Sequence, residues 1–203
     1  MINALKSGGV LMIPIIICGI IATYIIIERC IYFYNIQKRD FKLRTALTSS
    51  LAVRDFASAN ASCVEAGTPM SQVIQKALDC RHYEERDLRD FVEAEMDLVI
   101  PKFEHLLTPL GTIANIATLL GLLGTVTGNI KAFGVLGAGG TMGDPTLLAA
   151  SIAEALVTTV AGLIVSIPSV IFHNYFVSQV NKRIVEMEAL VTSVVLRVTG
   201  RVS

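Results

Sequence analysis

The sequence predicts an all-α integral membrane protein with three transmembrane helices, the second and third extended into a cytoplasmic helical bundle. Three observations carry that expectation. Of 203 residues, 53% are hydrophobic and only 17% charged, against about 25% charged in ordinary soluble domains. Three apolar runs are each long enough to cross a bilayer. Beyond the second and third runs, apolar residues continue to recur at helical spacing.

The first run, 8–27 (GGVLMIPIIICGIIATYIII), contains no charge. At about 1.5 Å per residue it covers a hydrocarbon layer of about 30 Å. It exits into Glu28, Arg29, Lys38 and Arg39 instead of ending at a small-residue cleavage site, so it reads as a retained span. The second run, 110–130, stays uncharged until Lys131, and the third, 150–172, ends before His173 and Asn174. Pro14 and Pro168 lie inside spans, where packed helices tolerate proline.

Basic residues set the orientation. Segment 28–109 holds eleven, five of them between Arg29 and Arg44, and the tail 173–203 adds Lys182, Arg183, Arg197 and Arg201. The stub 1–7 has Lys6 and the connection 131–149 has Lys131. The positive-inside rule therefore places the 28–109 loop and the tail in the cytoplasm, and the N-terminus and the glycine-rich 131–149 hairpin on the outer side of the membrane.

Leu88, Val92, Met96, Val99, Phe103, Leu106 and Leu110 recur at steps of three and four. This predicts one long helix entering the second span, with bends at Pro101 or Pro109. Residues 41–80 read as shorter helices broken around Gly67-Thr68-Pro69. Val177, Val180, Ile184, Met187, Val191 and Val194 give the tail a second stripe, and both stripes need helical partners to cover them.

Several functions are disfavoured. Lys+Arg and Asp+Glu both total 17, so no net charge attracts nucleic acid. The four cysteines form no CxxC pair, and His82, His105 and His173 lie far apart, so a metal site is not expected. No nucleophile–base pairing or phosphate loop points to an enzyme, and no cofactor is implied.

In the second span Ala114, Thr118, Gly121, Thr125 and Gly128 fall on one stripe, and Gly124-xxx-Gly128 has the form of a helix-packing motif. In the third, Glu154, Thr158 and Gly162 share a face bordered by Thr159. An acid within a span is costly and usually faces a cavity or partner. On the residues alone, Glu154 reads either as a helix cap at the headgroups or as an ion-binding carboxyl. In an unhydrated cavity, desolvation would bring such a carboxyl toward proton exchange near neutral pH. Threonine hydroxyls beside it would order water or ligate a cation.

GLLGTVTGNIKAF (121–133), a glycine-rich connection ending in Asp-Pro, and SIAEALVTTVAGLIVSIPSVIFHNYF (151–176) resemble the MotA/TolQ/ExbB proton-channel family. The three-span layout looks like ExbB and TolQ, not four-span MotA. The resemblance implies a homopentameric ring in the bacterial inner membrane, surrounding two copies of a single-span ExbD- or TolR-like partner. Ion flow would drive rotation and work at the outer membrane, through a TonB-like or TolA-like protein. It assigns the pore glutamate to Glu154 and pore threonines to Thr125 and Thr159; Thr158 is added because it lies one turn from Glu154. The Gly/Thr and Glu/Thr faces would then line the ring interior. Thr127 and Asn129 make this segment more polar than is usual in the family and leave room for sodium. Envelope maintenance, gliding or secretion motors are alternatives, as is a passive membrane scaffold.

Overall fold

The computed structural model describes residues 9–138 and 145–198, and every element among them is a helix. In chain order these are α1 (Met12–Ala52), α2 (Phe56–Ala66), α3 (Pro69–Asp79), α4 (Glu85–Glu104), α5 (Leu107–Ala138) and α6 (Pro145–Val198). Three helical stretches, within Met12–Ala52, Glu85–Gly134 and Pro145–Val198, are long and apolar enough to cross a membrane. The 131–149 connection is helical at both ends, through Ala138 and from Pro145; its centre lies outside the described residues.

Two compact units share these helices. The first comprises the chain through Glu28 together with Leu106–Tyr175. Here α5 runs antiparallel to α6 along a seam of small residues. Gly111 meets the His173 ring, Gly121 meets Thr159 and Gly162, Gly124 meets Thr158, and Gly128 meets Ala155. The first part of α1 runs parallel to α6, with Gly19 against Val165. Small residues let backbones approach closely where lipid offers no hydrophobic drive to association. The outward faces are apolar too: Ile20 and Ile164 are 65% and 67% exposed, which suits hydrocarbon and not water.

The second unit comprises Arg29–His105 and the chain from Phe176 onward. Its core includes Leu47, Met70, Ile74, Phe103, Phe176 and Met187, all buried, with Phe33 stacked on Phe176 at 5.7 Å between ring centroids. The expected α4 stripe, from Leu88 through Phe103, is buried throughout. The break at 67–69 is built from local chemistry. Gly67 ends α2 in the left-handed region at φ 57°, and Thr68 and Ser71 form a reciprocal capping box at the start of α3. Pro69 opens α3, where its missing N–H costs nothing.

Two expectations need correction. First, α1 does not give way to shorter helices at Phe41 but continues unbroken to Ala52, 41 residues in all. Its buried positions, Phe33, Ile36, Asp40, Leu43, Leu47 and Leu51, keep steps of three and four, but Asp40 sits among the apolar residues and breaks the pattern. Second, α4 and α5 are not one helix. The break falls at His105 and Leu106, the latter at φ 65°, and at neither proline. Pro101 is accommodated inside α4. Pro109 acts as a start signal: its ring would clash with the carbonyl four residues back, that of His105, and it needs no N–H in a first turn. The unbroken helices extending beyond a span are thus α1 and α6: the third span extends as expected, whereas the second does not and the first does.

Asp40 is 1% exposed, and among the described residues no group completes a well-formed hydrogen bond to either carboxylate oxygen. The neighbouring guanidinium groups of Arg44 and Arg183 both bind Glu186 instead, at 3.1 and 3.0 Å. Burial raises the Asp40 carboxyl above its ordinary value of 3.8, and the Thr68 hydroxyl with the Arg183 and Arg44 charges offsets this only in part. The stability this group contributes is therefore fully present below pH 3.8 and lost as pH rises through the raised value. At neutral pH the ionised form is a net cost. Asp40→Asn is expected to raise the melting temperature in detergent at pH 7.5, with the gain shrinking steadily on acidification. A lower melting temperature at pH 7.5 would show that attraction to the two arginines outweighs burial.

Candidate functional site

Glu154 lies in the third turn of α6, which starts at Pro145, where α5, α6 and the segment leading into α1 come together. Its Oε1 accepts from the Lys131 ammonium of α5 at 2.8 Å. On another side stands Gly9, just before α1, at φ 65°, so close that any Cβ there would collide with Oε1. Glycine is needed at this position twice over, for the left-handed backbone and for the close approach. A cavity of about 240 Å³ adjoins the carboxylate, with Leu11, Gly124, Thr127 and Thr158 in its wall.

The threonines divide by role. Thr158 is buried, donates to the Glu154 carbonyl at 2.8 Å, and packs its methyl into the space left by Gly124. Thr159 donates across the seam to the Gly121 carbonyl at 2.9 Å, tying α6 to α5. Thr125 donates to the Leu122 carbonyl of its own helix at 2.6 Å, and Thr118 reaches across to Ser166 at 2.6 Å. Of these four threonines Thr158 lines the cavity beside Glu154, together with Thr127; Thr125 and Thr159 do not line it.

The small-residue stripe also shifts in phase. The buried face of α5 is Ala114, Ala117, Gly121, Gly124 and Gly128, with Thr118 and Thr125 beside it. Gly162 of α6 fits onto this face, where its Cβ position lies 2.6 Å from the Ala117 carbonyl oxygen. Ala114, Gly121, Gly124, Gly128 and Gly162 are thus occupied by packing within one chain and do not lie open on a bore.

Lys131 and Gly9 escaped the sequence reading as site residues. Lys131 left a trace: it follows Gly124 and Gly128 at steps of four and three, on the face that meets α6.

The Glu154 carboxylate is thus paired across α5 and α6 beside a small, mostly apolar cavity with two threonines in its wall. A family model described as the MotA/TolQ/ExbB proton channel family matches residues 65–189, more than half of the chain. The chain belongs to this family. Biopolymer transport protein ExbB of Neisseria meningitidis serogroup B is 28% identical over 84% of this chain and 84% of its own length. An ExbB-like protein of Synechocystis is 32% identical over 88% of this chain and 71% of its own length. The Tol-Pal system protein TolQ of Haemophilus influenzae is 36% identical over a shorter stretch, 42% of this chain and 37% of TolQ. The match lies on the ExbB/TolQ side of the family, and with three apolar helices the chain is a multi-pass membrane protein.

Proposed function

We propose that the chain is the ion-conducting subunit of a bacterial inner-membrane motor, in which Glu154 takes up a proton from the periplasmic side and passes it inward. The observation that carries this is the Glu154 carboxylate, paired with Lys131 and set beside a small cavity where α5, α6 and the segment leading into α1 meet. Five copies would form a ring around the transmembrane helices of two copies of an ExbD- or TolR-like single-span protein. The N-terminus would be periplasmic, with the 28–105 segment and the tail forming a cytoplasmic helical bundle. Proton motive force would become mechanical work at the outer membrane, in the ExbB manner through a TonB-like protein serving uptake. The TolQ likeness favours envelope maintenance through a TolA-like protein as a second reading. The protein itself catalyses no covalent chemistry.

Thr127 lines the cavity next to Glu154, and its hydroxyl is engaged by carbonyls of its own helix at 3.0 and 3.1 Å. It donates there and keeps its oxygen lone pairs for a cation, so Thr127 does not distinguish the two ions; the proton is assigned from the family, described as proton channels. Motor output in cells is expected to persist in sodium-free medium and to stop when a protonophore collapses the gradient. Output that survives the protonophore and requires sodium would contradict proton coupling.

A further inference from the structure

We propose that Lys131 is the resting occupant of the ion site at Glu154: a tethered ammonium that an incoming cation displaces before the carboxylate binds it. This rests on the ion-channel reading and adds its regulation. The ammonium stands 2.8 Å from Oε1, where it supplies the positive charge and the donors that a transported cation would bring. Lys131 lies on the α5 face that continues from Gly124 and Gly128, so it reaches across the seam toward α6. Gly9 closes a second side of the carboxylate. A third side opens on the cavity of about 240 Å³ walled by Leu11, Thr127 and Thr158.

The strength of the pair decides what it can do. The Lys131 side chain is 57% exposed and that of Glu154 29%. Pairs this exposed contribute at most about 1 kcal/mol, roughly a fivefold bias in occupancy. A pair bounded in this way biases the resting site toward the ammonium without locking it. The flexible four-carbon stem lets the ammonium swing into water without any backbone movement.

The full chain, reconstituted with and without its single-span partner in liposomes carrying a pH-sensitive dye, tests this. Lys131→Gln and Lys131→Met are both expected to raise the partner-independent proton leak about two- to fivefold. Lys131→Arg keeps the charge and is expected to hold the leak at the wild-type level. Adding Glu154→Gln to either neutral variant should remove the extra leak. Neutral variants that leak no more than wild type would overturn the proposal, as would an extra leak that survives Glu154→Gln. Failure of the channel reading looks different: the wild-type chain with its partner would then carry no flux at all.

Discussion

Gly162→Val separates α5 from α6 and removes most of the folded protein from the membrane. A Cβ at this position would stand 2.6 Å from the Ala117 carbonyl oxygen, 3.0 Å from the Gly121 Cα and 3.2 Å from the Gly121 nitrogen. All three are backbone atoms, which no rotamer change can move aside. The helices must part, and the Thr159 bond to the Gly121 carbonyl goes with them. Overpacking of this kind typically costs about 1–3 kcal/mol, and rigid neighbours put this site at the upper end. Gly162→Ala already carries the offending atom and should be harmful too. Gly134→Ala is the control, because a Cβ there meets nothing within 4 Å and helix propensity improves by up to about 1 kcal/mol. Size-exclusion profiles of detergent-solubilised protein after graded heating read the difference. Equal thermal tolerance of the Gly162 and Gly134 variants would contradict the seam.

Glu154→Gln leaves the fold intact and abolishes ion-driven work. Glutamine has the volume of glutamate, so it fits against Gly9, and its amide oxygen can still accept from Lys131. What it cannot do is take and release a proton. Membrane level and thermal behaviour are therefore expected to match wild type, while gradient-dependent motor output falls to background. If work continues in this variant, the passive-scaffold reading gains and Glu154 loses its assigned role.

The contrast between these two substitutions marks what was legible in the sequence. Helix content, the three apolar runs, the α4 stripe and the break at Gly67-Thr68-Pro69 depend on neighbours within a few positions, and the residues announce them. Glu154 stands out because it is an acid in an apolar run. Its partner does not, since Lys131 is 23 residues away and reaches it only once the antiparallel register of α5 and α6 is set. That register depends on which small residues interlock. Adjacent stripes on a helix lie about 100° apart and both look small, so spacing does not tell Ala117 from Thr118, although the Gly124-xxx-Gly128 motif marks part of the true seam. The clash of Pro109 with the His105 carbonyl predicts a disruption without saying that two helices result. Asp40 hid the continuation of α1, as a buried acid interrupts the apolar pattern that would have revealed it.

The most direct measurement of the central claim is proton entry into liposomes holding the full chain and its single-span partner, under an imposed gradient. Wild-type protein is expected to acidify the lumen, and Glu154→Gln protein, incorporated at the same level, is expected to match protein-free liposomes. Wild-type rates of acidification by the Glu154→Gln protein would contradict it.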